Sequence, residues 1–171
     1  AIRRLSSLIH SDPSIIDVYV LRAHSWARLC YYSRAIDDYK EAIVRGGFEE
    51  DLWLCRGLSF LRLSRGNAFF KRRNYERALD DLDKSIENFP GNRFVALNNR
   101  ASCFYWLSQF QDAIKDYSSA ILLNPIDAMT YVRRGEVYRA IDEHSLAAKD
   151  FNKAIQLGWD QRKHDVDVVD F

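Results

Sequence analysis

The sequence predicts an all-α fold made of repeated antiparallel helix pairs. Small and apolar residues recur at steps of three and four through most of the chain, and this spacing lines one face of a helix. The same pattern returns four times and aligns without gaps inside a unit of about 34 residues, which indicates a repeat architecture. Seven glycines and three prolines in 171 residues indicate helices joined by short connections.

Composition narrows the class of protein. A hydrophobic content of 47% predicts a folded chain, and the length suits one domain. The 25 Lys and Arg residues nearly balance the 24 Asp and Glu residues, so we expect neither a nucleic acid nor a membrane as partner. No apolar run approaches the roughly 20 residues of a membrane span, and the first residues lack a signal peptide.

The three cysteines are widely spaced and odd in number. They form neither a CxxC motif nor a cluster with histidine, so a reducing compartment fits best and we predict a cytoplasmic protein. No phosphate-binding glycine loop, nucleophile motif or metal-ligand spacing is present. We therefore expect no enzymatic activity, no metal and no cofactor.

The clearest hairpin lies in residues 64–90. Gly66 precedes the aromatic Phe69 by three residues, and Asn74 and Tyr75 are predicted to form the turn. Pro90 ends the second helix because proline lacks an N–H group and clashes with the preceding turn. The buried face of this second helix is predicted from residues at helical spacing: Ala78, Leu82, Ser85 and Ile86.

We predict seven segments along the chain. Residues 1–15 have the pattern of a second helix only, which suggests a chain cut from a longer array or a lone capping helix. In chain order, the segments are a half repeat at 1–15, a repeat at 16–49, an insert at 50–58, repeats at 59–92, 94–127 and 128–161, and a tail at 162–171.

Two segments depart from the repeat. The insert carries Leu52, Trp53 and Leu54, so we expect it to extend the first helix of the second repeat backwards, with Gly57 as a weak point. A longer loop is the alternative. The last ten residues, RKHDVDVVDF, are predicted to be an acidic tail or the start of a capping helix.

Small residues occupy two columns of the repeat. Two helices cross closely only where neither has bulk, so these positions should be the contact inside each hairpin, with aromatic side chains filling the space on either side. The eighth position holds Ala23, Gly66, Ala101 and Gly135, and the twentieth holds Ala35, Ala78, Ala113 and Ala147.

Two charged columns are equally uniform, and we predict that they pair. If the pairs are exposed, each contributes only about 0–1 kcal/mol to folding stability. The seventh position holds Arg22, Arg65, Arg100 and Arg134, and the twenty-third holds Asp38, Asp81, Asp116 and Asp150.

These motifs resemble the tetratricopeptide repeat, and the resemblance covers nearly the whole chain. It implies an all-α, right-handed superhelical solenoid of antiparallel helix pairs. The first helices of the repeats would line a concave groove that binds a peptide or helix of a partner protein. The groove residues that this resemblance selects are Asn67, Lys71, Asn98, Asn99, Ser102, Met129, Arg133 and Arg139.

One branch of the family, the chaperone-binding co-chaperones, holds a peptide carboxylate in such a groove. The present chain is similar to this branch at Asn67, Asn99 and Arg133, but Leu63 and Met129 stand where the branch has lysines. The main hypothesis is thus a protein-interaction module for a partner segment of acidic character. The alternatives are a spacer or self-associating segment of a longer array, and a co-chaperone-type binder with an incomplete clamp.

Overall fold

The structure is a computed structural model, and it describes residues 1–45, 71–88 and 90–160. All regular elements in these ranges are helical, which confirms the predicted all-α class. The α-helices are α1 (Ile2–Ser11), α2 (Ile16–Arg28), α3 (Tyr32–Val44), α4 (Lys71–Asn88), α5 (Arg93–Trp106), α6 (Phe110–Leu123), α7 (Ala128–Ala140) and α8 (His144–Gln156), and a 3₁₀ turn spans Pro90–Asn92. The turn predicted at Asn74 and Tyr75 is wrong, because both residues lie inside α4, which no glycine or proline interrupts.

The chain forms two compact units. Unit 1 is Ala1–Asn92 and unit 2 is Arg93–Phe171. In unit 1, α2 and α3 form a hairpin and α1 packs on α2. In unit 2, the hairpins α5–α6 and α7–α8 are joined through a contact between α6 and α7. The predicted insert at 50–58 and the tail at 162–171 lie outside the described residues.

Small residues are buried inside the hairpins at the positions where their columns predict a close helix crossing. Ala23 and Ala35 are fully buried beside Tyr39 in unit 1, and Ala101 and Ala113 are fully buried beside Tyr117 in unit 2. The reason is most direct at Gly135. A Cβ atom there would lie 2.8 Å from Cε1 of Phe151, closer than two carbon atoms can approach without a shift.

The predicted Arg and Asp columns pair inside the hairpins. Both guanidinium nitrogens of a fork donate to both carboxylate oxygens at 2.6–2.8 Å in the pairs Arg22–Asp38, Arg100–Asp116 and Arg134–Asp150. The aspartate side chains are only 5–7% exposed. The prediction is therefore confirmed for three pairs, while Arg65 lies outside the described residues.

Two of these arginines also reach the preceding helix with their third nitrogen. Nη1 of Arg22 donates to the hydroxyl of Ser6 on α1 at 3.0 Å, and Nη1 of Arg134 donates to the hydroxyl of Ser118 on α6 at 2.9 Å. Each arginine thus connects three helices: its own, its hairpin partner and the helix before.

Four helices end in the same way, with a residue in the left-handed conformation. Cys30, Ser108, Asp142 and Gly158 have φ between 61° and 91°. Around each, the next residue donates its N–H to the carbonyl five residues back, at 2.8–3.0 Å. This is the Schellman motif, in which glycine is usual because it has no Cβ atom to crowd the backbone. Three of the four positions therefore carry backbone strain.

The forks should be costly to break. Asp38→Asn keeps the shape of the side chain but leaves Arg22 without its counter-charge, so we expect a loss of about 2–4 kcal/mol in the free energy of unfolding, measured by urea denaturation. Glu41→Gln, on the same helix, is the matched control because its pair with Arg45 is exposed. It should change stability by no more than about 0.5 kcal/mol. Equal effects of the two substitutions would contradict a special role for the fork.

The strained caps should be improved by glycine. Ser108→Gly removes the crowded Cβ at φ 61°, and we expect the free energy of unfolding to rise by about 0.5–1 kcal/mol. Gly158→Ala makes the reverse change at φ +91° and should lower it by about 1 kcal/mol. A thermal melt of the two variants and the wild type measures both changes, and a lower melting temperature for Ser108→Gly would refute the assignment of strain.

Candidate functional site

The site predicted from the groove residues falls on α5 and α7 of unit 2. These two helices are adjacent, because the Thr130 hydroxyl lies 2.9 Å from Oδ1 of Asn98 in a buried hydrogen bond. Val137 of α7 packs in the same core cluster as Ala101 of α5 and Tyr117 of α6. We call the exposed and half-buried groove residues of these helices the α5–α7 face: Asn99, Ser102, Met129, Arg133 and Arg139.

Tyr117 of α6 is buried in one core cluster with residues of both helices that form this face. Its hydroxyl lies 2.9 Å from the Ser102 hydroxyl of α5, and the positive charge of Arg133 on α7 acts on the same phenol. Burial raises the pKa of Tyr117, while the Ser102 hydrogen bond and the charge of Arg133 oppose that rise. Tyr117 therefore stays a neutral phenol, which is hydrogen-bonded to Ser102 and feels the positive charge of Arg133.

Arg133 differs from the arginine that follows it. Arg134 makes its fork with Asp150, whereas Arg133 has no carboxylate partner in the part of the chain that the structure describes. Its side chain is half-buried. A cation in this setting is partly stripped of water and has hydrogen-bond donors to spare, so an acidic group that reached it would be bound with more than a surface ion pair's strength.

The two neighbouring asparagines have different surroundings. Asn98 is buried, and its amide nitrogen donates to the Phe94 carbonyl. Its side-chain oxygen accepts a hydrogen bond from the Thr130 hydroxyl, so both ends of the amide have partners within unit 2. Asn99 is half-buried, and its amide nitrogen donates to the Val95 carbonyl at 2.7 Å. The side-chain oxygen of Asn99 is the amide acceptor that remains on the face.

Met129 and Arg139 lie at the two ends of α7. Met129 packs, half-buried, in the apolar cluster that includes Tyr131, Phe151 and Trp159. Arg139 is exposed and pairs with Glu136 one turn earlier. Burial raises the pKa of Glu136, and the charge of Arg139 opposes that rise. The pair offsets part of the positive charge of the face at neutral pH.

The other two predicted groove residues cannot be assigned a place on this face. Asn67 lies outside the described residues, and so does Leu63 at the first lysine position of the clamp. Lys71 begins α4 in unit 1, but its side chain is not among those described. The clamp-like residues that the structure does describe are Asn99 and Arg133, both in unit 2.

Tyr117 was not predicted as part of the site, because its column was assigned to the core. One signal was available in the sequence. The column holds Tyr39, Leu82, Tyr117 and Phe151, so two of its members carry a hydroxyl that needs a polar partner when buried. In unit 1 the equivalent pair is Tyr39 and His24, whose rings meet edge to face at 5.6 Å.

Metal-binding clusters and membrane spans are both absent from the described part of the chain. Within the described ranges, no three His, Cys, Asp or Glu side chains are grouped closely enough to hold a metal ion. Among the helices described, none is both long and apolar enough to cross a membrane.

The repeated hairpins and the polar face between them define a helical-repeat protein of the protein-interaction class. Models of the tetratricopeptide repeat match residues 61–92 and residues 94–127. The chain therefore contains tetratricopeptide repeats at these residues.

Two sequence relatives illustrate the range of the family. Heat shock protein STI1 of Saccharomyces cerevisiae is 29% identical over 92 residues, which cover 54% of this chain and 16% of that protein. Mitochondrial import receptor subunit TOM34 of Rattus norvegicus is 35% identical over 83 residues, covering 48% of this chain and 27% of that protein. The chain thus spans 16–27% of the length of these two relatives.

Among solved structures, the chain is similar to YrrB, described as a TPR protein with an unusual peptide-binding site. The TM-score is 0.80 at 18% identity, over 94% of this chain and 78% of that chain. At this level of identity the similarity establishes the fold alone.

The contact at the centre of the face can be tested by its coupling. Ser102→Ala and Tyr117→Phe each remove one hydroxyl of the pair, so the two losses of unfolding free energy should not add. We expect a coupling of about 1 kcal/mol in a double-mutant cycle measured by urea denaturation. A coupling below about 0.3 kcal/mol would mean that the two hydroxyls do not bond.

Proposed function

We propose that the α5–α7 face docks a segment of a partner protein that carries an acidic side chain. The observation that carries this proposal is Arg133, a half-buried guanidinium without a carboxylate partner among the described residues, in a unit where Arg100 and Arg134 are both paired. A carboxylate is the group that matches the guanidinium fork in charge and geometry. A carboxylate of the partner would pair with Arg133 as Asp150 pairs with Arg134.

The surroundings of Arg133 suit an extended peptide. The Asn99 oxygen offers an acceptor for a backbone N–H group, and the Ser102 hydroxyl adds a polar contact one turn further along α5. Apolar surface flanks this polar centre at Val95 and Trp106 of α5, which are 42% and 44% exposed. A segment that alternates acidic and apolar residues would use both surfaces.

The similar proteins support the same class of function. YrrB is described as having a peptide-binding site, and the name of TOM34 describes an import receptor. We further propose a non-enzymatic role and a cytoplasmic setting, the latter because Cys30 and Cys103 are free thiols. A spacer or self-associating role is the alternative, and the mass in solution over a range of concentrations separates it from a monomeric binding module.

A second candidate is recognition of a chain-terminal carboxylate, as in the co-chaperone branch. The similarity to heat shock protein STI1 and the presence of Asn99 and Arg133 favour it. Met129 stands at a lysine position of that clamp, and its apolar packing leaves the charge there missing. Binding of one peptide with a free and with an amidated C-terminus distinguishes the two candidates, since only terminal recognition depends on that group.

The test uses a fluorescent decapeptide of alternating Asp and Val, with an Asn–Val peptide as the neutral probe. Arg133→Glu should weaken binding of the acidic peptide at least tenfold in fluorescence anisotropy, because about 1.4 kcal/mol or more of charge-assisted hydrogen bonding is lost. Glu136→Gln should strengthen it a fewfold by unmasking Arg139.

Lys115→Glu provides the matched control, because it makes the same charge change at an exposed position of α6. It should leave the affinity for the acidic peptide nearly unchanged. If Arg133→Glu and Lys115→Glu weaken binding equally, the attraction is one of net charge and the proposed site is wrong.

A further inference from the structure

We propose that residues 165–171 of this chain dock on the α5–α7 face of their own unit and compete there with the partner segment. This inference rests on the proposed function, because it assigns a second occupant to the same face. Residues 161–171 lie outside the described part of the chain, and their chemistry is read from the sequence QRKHDVDVVDF.

The chain leaves α8 beside the face. After α8 ends at Gln156, Gly158 turns the backbone with φ +91°, and the Trp159 N–H donates to the Ala154 carbonyl at 3.0 Å. The Trp159 side chain then packs in the cluster that contains Ala128 and Met129, at the start of α7. The last described residues therefore share an apolar cluster with the first residues of α7, the helix that carries Met129 and Arg133.

The remaining distance is short. Arg133 follows Met129 by four residues, which is about 6 Å along a helix. The five residues from Asp160 to Asp165 span up to roughly 17 Å when extended. The length available to the linker therefore exceeds the rise from Met129 to Arg133, as docking of the acidic segment on this face requires.

The chemistry of the segment matches that of the face. Asp165, Asp167 and Asp170 supply three carboxylates within six residues, and valines separate them. In an extended chain Asp165 and Asp167 point to the same side, where one of them can pair with the guanidinium of Arg133. The valines and Phe171 offer apolar surface to Trp106 and Val95.

Tethering favours this occupant over a second copy of the chain. A short linker holds the segment at an effective concentration of about 1 mM or more, so an intrinsic affinity near 1 mM already occupies half of the faces. A second copy would need a comparable protein concentration in solution. An external partner must then displace the segment, and its apparent affinity falls by the fraction of faces that are free.

The experiment uses the full chain with Asp165, Asp167 and Asp170 all changed to Asn, which removes the charges and keeps the size. We expect this variant to bind the Asp–Val decapeptide at least about twofold more tightly than the wild type. A chain with Asp112→Asn, Asp142→Asn and Glu143→Gln is the matched control, because it removes three exposed carboxylates of the same unit and changes the net charge equally. The control should show no such gain.

A second readout does not depend on the external peptide. The side-chain Nε–H signal of Arg133 in a ¹⁵N NMR spectrum should shift between the wild type and the triple Asn variant, at low and high protein concentration alike. If that signal shifts and neither chain binds the decapeptide, the docked segment stands and the proposed function fails. If both chains bind the decapeptide equally and the signal is unchanged, the docked segment is refuted and the proposed function stands. A shift that appears only at high protein concentration would overturn docking within one chain in favour of docking between two copies.

Discussion

The hairpins of this protein depend on one buried fork between an arginine of the first helix and an aspartate of the second. Two parallel hydrogen bonds of 2.6–2.8 Å form only at one rotation of each helix about its axis and one position of the two helices along their axes. The fork therefore sets the register of the hairpin. Removing both charges from water offsets much of the attraction, and the net stabilisation is smaller than the cost of breaking the pair. The third nitrogen of Arg134, bonded to Ser118, extends the same register to the preceding helix.

The fork also determines which arginine is available for binding. Consecutive residues on a helix point about 100° apart, so Arg133 does not share the direction in which Arg134 reaches Asp150. Arg134 pairs with Asp150, whereas Arg133 has no carboxylate partner among the described residues, and its charge acts on the phenol of Tyr117. The fork therefore engages Arg134 within the hairpin, and Arg133 is the arginine that the proposed function assigns to binding.

The sequence was sufficient for features that repeat, and it failed for those set by a single contact. Uniform columns predicted the Arg–Asp forks and the small residues at the helix crossings, because the same residue types recur in each repeat. The pattern could not show which of Asn98 and Asn99 is buried, because the two residues are neighbours on one helix. The hydrogen-bond partner of Asn98 is Thr130, 32 residues away in the sequence. The left-handed helix ends at Cys30 and Ser108 were not predicted, because glycine, the residue that usually indicates such an end, is absent there.

The apolar residue at the clamp position follows from how the chain leaves the last repeat. Met129 lies in the cluster that anchors Trp159, so a lysine there would place its stem, and part of its charge, against apolar groups. The position is occupied by an apolar side chain of this cluster, and Arg133 is the half-buried cation without a carboxylate partner on the part of the α5–α7 face that the structure describes. One guanidinium flanked by apolar surface suits an acidic side chain within a segment better than a terminal carboxylate, which the co-chaperone branch grips with several charges. The proposed function therefore assigns internal acidic residues to this face, and the proposed docking of residues 165–171 uses the same chemistry.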